Sequence, residues 1–471
     1  MKSFNTRQIF VALLCLSPLF SVCSPTAMAL RTNRLSQQDA RQPLQTPQTP
    51  QPVDDFKFGK VDLELLEQVN LLDKRFDREG VVYVDEATNA YLQRVGESLL
   101  PRGLNLEHVL WRFRVLRDPV PNAFALPNGS VYVNTGLLAL LDNESQLAAI
   151  LAHEMTHVLK RHTYLQNRSN RKKILAMNII NAIGVWNPVG GVAGLAIGII
   201  AAVSPIILVS TIFGYSRDLE READLNGVDL MMAAEYPPEE MVKALKLLTN
   251  DIEGEQLKLF YNDHPQLRER IAYVSSHLGS KAEKITAASE LKREKSAYLA
   301  KVEPVAQHDV QLAINAARFR TAIFLGRKFL DFHPDSSEGT FWLAEAYRTL
   351  GPRSAELSEQ DLTNSAKKDA AKKRARRTPE EEERDLMATP AGQQNWKANQ
   401  TKSEELYLKS LKLAQPIPAT HRGLGMLYEK TDRRKEAIDE YQKYLELSPD
   451  ALDRARIQRR INALSGAATP P

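Results

Sequence analysis

Asn143-Glu144-Ser145-Gln146-Leu147-Ala148-Ala149-Ile150-Leu151-Ala152-His153-Glu154-Met155-Thr156-His157-Val158 is the stretch on which the rest of the chain is read. Asn143 is a good N-cap residue and Gln146, three positions on, can close a capping box, so a helix is predicted to start here and to run to about His162. Leu147, Ile150, Leu151 and Val158 return at helical spacing and supply its buried side. His153 and His157 stand four residues apart, one above the other on one face, where both imidazoles can reach a single ion. Zinc takes nitrogen and oxygen donors in a tetrahedral set and keeps one position for water in a catalytic site, so one more protein ligand is required. Glu154 lies beside that position and can take a proton from the water.

Glu220-Arg221-Glu222-Ala223-Asp224, on a later helical segment, offers that ligand. Glu220 can complete the set, and Asp224, one turn later, can hydrogen-bond a ligand imidazole and fix its tautomer. Two rivals stay open. His162 follows the second histidine by five residues with Lys160 in the turn, whereas proteases with a third histidine on the same segment use six and a glycine. Glu222 is the other rival, although it lies on a different helix face from Asp224. Without the histidine pair, these acids would read as a solvated helix face.

Outward from the motif, residues 56–280 mix helix and strand signals. Tyr91, Leu92, Val95 and Leu99 recur at helical intervals over 85–100, and 110–116 alternates as a half-buried strand. Asn122-Ala123-Phe124-Ala125-Leu126, Pro127-Asn128-Gly129 and Ser130-Val131-Tyr132-Val133-Asn134 read as strand, turn and strand. The fold class expected is mostly α with a small edge β-sheet, an α+β catalytic domain, followed by an α-helical repeat solenoid. Residues 174–216 hold no Asp, Glu, Lys, Arg or His, and 191–213 meets the length criterion for a membrane span. Beyond about residue 300, over 300–465, the pattern becomes helical with a period near 34. Leu424, Gly425, Tyr428, Ala437, Tyr441 and Pro449 fall at tetratricopeptide offsets; Ala322, Phe329 and Pro334 mark an earlier unit, and Leu343, Ala344 and Tyr347 open the next. A charged insertion, 352–402, interrupts the repeats and reads as a solvated helix or a tract without fixed structure.

Lys2 and Arg7, the apolar run that follows and Ala27-Met28-Ala29 read as a secretory signal over 1–29. A Gln- and Pro-rich leader over 30–55 has too little apolar surface to fold. The two cysteines, Cys15 and Cys23, lie inside the signal, so a chain cut after Ala29 has no thiol and takes its stability from cores and metal. With 62 basic and 58 acidic residues in 471, the chain offers no electrostatic footing for nucleic acid.

Taken together, Asn122-Ala123-Phe124, Gly136-Leu137, His153 to His157, Ser216-Arg217, Glu220 to Asp224, His264-Pro265 and Arg270-Ile271 resemble the M48 metallopeptidases, which include the prenyl-protein processing proteases. With a signal and C-terminal repeats, the chain looks most like the periplasmic beta-barrel assembly-enhancing protease group. The resemblance implies one Zn2+ per chain on His153, His157 and Glu220, with Glu154 as base and Asp224 in support. It implies strand addition of substrate along Asn122, Ala123 and Phe124. His264 and Arg270 would approach the cleft from a later loop, Arg270 holding a substrate carbonyl. The expected partners are polypeptide substrates and proteins bound by the repeats, including outer-membrane assembly machinery. The apolar segment must return between His157 and Glu220, so it is expected as helices packed over the cleft with peripheral membrane contact, or as a re-entrant pair. The function expected is a periplasmic zinc endopeptidase of envelope protein quality control. The alternatives are an assembly adaptor with a latent or structural zinc site and a membrane-embedded peptidase.

Overall fold

A computed structural model describes residues 56–169, 215–249, 267–279, 295–355 and 379–466. The signal segment, the leader, the apolar segment up to 214, His264 and residues 356–378 of the charged insertion lie outside the described residues. Among the described residues the chain is mostly helical, with one three-stranded sheet.

The sheet comprises β1 (Arg112–Leu116), β2 (Ala123–Ala125) and β3 (Ser130–Asn134), in the order β1-β3-β2. β3 runs parallel to β1 and antiparallel to β2. The hairpin turns where Pro127-Asn128-Gly129 predicts it: Gly129 N donates to Leu126 O at 3.0 Å. Gly129 sits at φ +92° and a Cβ there would lie 2.8 Å from Leu110 O, so only glycine fits. Below the turn lies α1 (Lys60–Arg78), whose Leu65, Val69, Leu72 and Phe76 form one buried stripe. Its Asp73 accepts hydrogen bonds from Asn128 Nδ2, Ser130 Oγ and Tyr132 OH, each at 2.7 Å, and so pins the hairpin to the helix. α2 (Glu86–Ser98) is capped by Asp85, which accepts from Thr88 N at 2.8 Å, and covers β1.

α3 (Thr135–Leu140) leads into α4 (Glu144–Leu159), the motif helix. Asn143 caps it, accepting from Gln146 N at 2.9 Å. The Gln146 side chain accepts from Asp142 N at 2.8 Å, one residue ahead of the amide that a capping box uses. The helix stops at Leu159 and not at His162, because Arg161 takes the left-handed φ of +58°. Helical structure resumes over 162–169. Residues 145–159 are all buried, since α4 lies against the sheet, α5 (Arg217–Ala233) and α6 (Glu239–Leu248). α7 (Leu267–Gly279) packs on α5 and α6.

The C-terminal helices follow as α8 (Lys295–Asn315), α9 (Phe319–Phe332), α10 (Ser337–Leu350), α11 (Pro379–Met387), α12 (Pro390–Lys412), α13 (Ala419–Lys430), α14 (Arg434–Leu447) and α15 (Arg454–Leu464). Each packs on the next in chain order, except that α12 meets both α10 and α11. The small and aromatic residues singled out for their spacing are where helices touch: a Cβ on Gly425 would lie 2.5 Å from the Tyr441 ring. Position 402, the end drawn for the charged insertion, falls inside α12. Asn399 is buried there and donates to Gly351 O at 2.8 Å, so 390–402 is packed structure. α8 itself starts before residue 300, and its Tyr298, Leu299, Val302 and Val305 belong to the same core as α4. Tyr298 OH donates to Leu138 O at 2.8 Å, and Lys328 Nζ on α9 to Leu141 O at 2.8 Å.

Where α8 meets the start of α3, two carboxylates are buried. Asp118 is pushed up to about 7 by burial, which outweighs the Val120 amide and Arg318. Burial pushes Asp309 up as well; the Thr135 hydroxyl pulls it partly back, and the neighbouring Asp118 adds to the rise, leaving it at about 8 against an ordinary 3.8. An acid whose pKa is higher folded than unfolded holds an extra proton in the folded state across that window. Stability therefore falls as pH rises from about 4 towards 8. Asp309→Asn should raise the unfolding temperature more at pH 8 than at pH 5. Thermal unfolding at the two pH values checks this, and an equal difference at both would refute it.

Candidate metal centre

α4 sets His153 and His157 on one face, and α5 brings Glu220 across to them. The two Nε2 atoms lie 3.1 Å apart, and the Glu220 carboxylate oxygens lie 3.5 Å from His153 Nε2 and 3.7 Å from His157 Nε2. Three donors on one zinc, with bonds of about 2.0–2.1 Å at tetrahedral angles, would be separated by roughly 3.3–3.4 Å. The three side chains are buried and form the one cluster of metal-ligand type among the described residues. Close approach of α5 to α4 is needed at this level, and Gly227 provides it: a Cβ there would come within 3.2 Å of His153 N.

Behind the first ligand stands a dense charge network. His153 Nδ1 lies 2.8 Å from Asp224 Oδ1. Arg270 on α7 grips Asp224 with both arms, Nε to Oδ2 at 2.8 Å and NH2 to Oδ1 at 2.6 Å, while its NH1 lies 3.2 Å from Glu220 Oε2. Tyr273 OH donates to Asp224 Oδ2 as well. Burial alone would raise the Asp224 carboxyl, but Arg270 and His153 outweigh it and hold it well below the carboxylate range. Burial and Arg270 push the His153 imidazole down, while Asp224 and Glu220 push harder the other way and leave it at about 9. Asp224 and Glu220 against the one guanidinium of Arg270 leave one negative charge to be balanced, even before the buried Glu154 is counted. A proton on His153 can do this, and so can a cation among the three donors. The donor set therefore fits a divalent metal in geometry and in charge.

The other sequence-derived residues are placed as follows. Glu154 is buried on α4 between the two histidines in sequence. Arg270 is 3% exposed and committed to Asp224 and Glu220, so it supports the ligands and does not reach out to a substrate carbonyl. Phe124 packs between Phe76 and Tyr132 in the core on the α1 side, so its side chain is structural. Asn122 O accepts from Asn134 N at 2.9 Å, extending the hairpin. In this register Asn122, Phe124 and Leu126 bond to β3, and the backbone groups of Ala123 and Ala125 point away from β3. α4 packs against β2, which sets that strand beside the motif.

Neither rival ligand joins the cluster. His162 is fully buried, with Nδ1 2.9 Å from His157 Nδ1, on the side of the ring away from the converging Nε2 atoms. Glu222 lies beyond it, Oε2 3.4 Å from His162 Nε2. Tyr215 stacks on His157 with ring centroids 3.8 Å apart and donates to or accepts from Thr163 Oγ1 at 2.8 Å. Tyr215 and Tyr273 belong to no motif in the sequence, yet both touch this network. Tyr273, three residues after Arg270 and so on the same helical face, carried the clearer signal.

Residues 86–278 match the model for Peptidase family M48. Mitochondrial metalloendopeptidase OMA1 of Schizosaccharomyces pombe is 30% identical over 194 residues, 41% of this chain and 53% of that protein. Beta-barrel assembly-enhancing protease of Escherichia coli K12 is 24% identical over 231 residues, 48% of this chain and 45% of its own length. Metalloprotease YcaL of the same bacterium is 24% identical over 200 residues, 42% of this chain and 74% of that protein. The chain spans about half the length of the first two. The two histidines and the glutamate that converge on one point all lie within the stretch, 86 to 278, that is similar to peptidase family M48.

Proposed function

We propose that the chain is a zinc-dependent endopeptidase that cleaves unfolded or misassembled polypeptides in the cell envelope. The observation that carries this is the convergence of His153 Nε2, His157 Nε2 and the Glu220 carboxylate to 3.1–3.7 Å, with Glu154 on the same helix. Two imidazoles and one carboxylate suit zinc better than magnesium or calcium, one ion per chain. When bound, zinc supplies Lewis acidity towards water and a peptide carbonyl. Glu154 takes the proton from the attacking water and passes it to the leaving amine. Asp224 keeps a proton on His153 Nδ1 and so turns the Nε2 lone pair to the metal. Its crowding by Arg270 and Tyr273 donors supports this orienting role over proton donation to substrate.

Substrate recognition follows from β2, where an extended chain can add to the outward amides and carbonyls of Ala123 and Ala125. Those two residues are 0% and 4% exposed, so the edge is closed in this conformation and has to open first. A strand in place there lies beside α4, which favours extended segments over folded surfaces. The beta-barrel assembly-enhancing protease among the relatives supports an envelope setting, in the periplasm, with polypeptides of the outer-membrane assembly pathway as partners. Spacing of small and aromatic residues at the helix contacts of α9, α10, α13 and α14 supports reading the array as tetratricopeptide repeats that recruit them. Peripheral membrane contact through 174–216 and a role for His264 at the cleft belong to the same proposal. No helix among the described residues is long and apolar enough to cross a membrane.

Zinc content and casein cleavage by the mature protein test the chemistry. Wild type and Glu154→Gln should each hold about one zinc, while the variant loses cleavage by roughly two to four orders of magnitude. Zinc in both with cleavage in neither would make the site latent or structural and favour an adaptor. Ala125→Pro removes the outward N–H of β2 and leaves the bonds to β3 intact. It should cut cleavage of unfolded protein about tenfold or more at unchanged zinc content, and unchanged cleavage would remove strand addition from the account.

A further inference from the structure

We propose that His162 and Glu222 are positioning residues for the metal, a second imidazole–carboxylate support that fixes His157 as Asp224 fixes His153. The inference rests on the metal reading given above. A histidine that ligates through Nε2 carries its proton on Nδ1, and that proton needs an acceptor, because a buried donor without one is costly. For His153 the acceptor is the Asp224 carboxylate at 2.8 Å. For His157 the acceptor in place is His162 Nδ1 at 2.9 Å.

The tautomers then follow along the chain. His162 Nδ1 must be the bare nitrogen in order to accept, so a neutral His162 carries its proton on Nε2. That nitrogen faces Glu222 Oε2 at 3.4 Å, longer than an ordinary hydrogen bond, so the carboxylate acts on it through charge. Lys160 Nζ lies 3.6 Å from the other Glu222 oxygen and holds the carboxylate in place. Tyr215, stacked on His157 at 3.8 Å with planes 15° apart, fixes the ring plane in which these bonds lie. His162 is fully buried, whereas the Glu222 side chain is 41% exposed, so the relay runs from the ligand out to solvent.

The test is zinc affinity of the full-length protein, measured by competition with a chromophoric chelator, for wild type, His162→Leu, His162→Gln and Glu222→Ala. His162→Leu should weaken zinc binding about ten- to a hundredfold, the range for loss of such a partner. His162→Gln, whose amide oxygen can accept from Nδ1–H, should recover most of the loss, and Glu222→Ala should weaken binding by a smaller factor. Glu222 is half-exposed, so its variant decides the matter even if His162→Leu disturbs packing; unfolding temperatures in excess chelator show whether the metal-free fold is intact. Wild type that binds zinc, with His162→Leu and Glu222→Ala binding within about twofold of it, overturns this inference and leaves the metal reading standing. Wild type that binds no zinc overturns both.

Discussion

Arg270 reaches from α7 to Asp224 on α5 with two hydrogen bonds and to Glu220 at 3.2 Å, and Asp224 in turn meets His153 on α4 at 2.8 Å. Three helices far apart in sequence are thus tied by one buried charge cluster. A buried carboxylate left unpaired costs several kcal/mol, so none of the three can withdraw without stranding a charge. The geometry of the ligands depends on this. Glu220 is held where Arg270 allows, and His153 keeps the ring orientation that Asp224 sets. Gly227 lets the helices come this close, since a Cβ there would lie 3.2 Å from both His153 N and the Met241 methyl.

The same economy appears where the helical array joins the catalytic part. The end of α3 leaves carbonyls without helical partners, and Lys328 from α9 donates to those of Leu140 and Leu141 while pairing with Asp142 at 3.1 Å. Tyr298 on α8 satisfies Leu138 O in the same turn. α3 leads directly into α4, so the array braces the helix that carries the motif. The array is therefore tied directly to the segment that leads into His153 and His157 and does not hang on a free tether.

Much of this was legible in the sequence, for physical reasons that differ from place to place. The cap at Asn143, the turn at Gly129 and the stripe of α2 are local, so spacing and residue type identify them. The histidine pair is local too, and Glu220 followed from the need for a third donor. Nothing in the sequence shows that the Arg270 guanidinium faces Asp224, 46 residues away, which is why the sequence alone points it at substrate. Alternation along β2 turns the Phe124 side chain to the α1 core while Ala123 and Ala125 face α4, a partition that the run Asn122-Ala123-Phe124 does not reveal without knowing which face is which. The charge runs of 352–402 hid the start of α12, where buried Asn399 and Gln400 are polar residues whose partners lie in α10 and the turn after it.

His162 shows most clearly why spacing alone falls short. Continuous helix from His157 would carry position 162 about 140° around the axis, off the face of the ligands. Arg161 breaks the helix at φ +58°, a conformation that costs a non-glycine residue about 1–2 kcal/mol. The contacts that hold it there are long-range: its NH2 donates to Glu107 O at 3.0 Å, and its guanidinium lies 5.2 Å over the Phe58 ring. The break brings His162 back beneath His157, nitrogen to nitrogen. A five-residue gap that disqualifies His162 as a third ligand is thus the gap that lets it stand behind the second one, and the residue that makes the difference is the arginine between them.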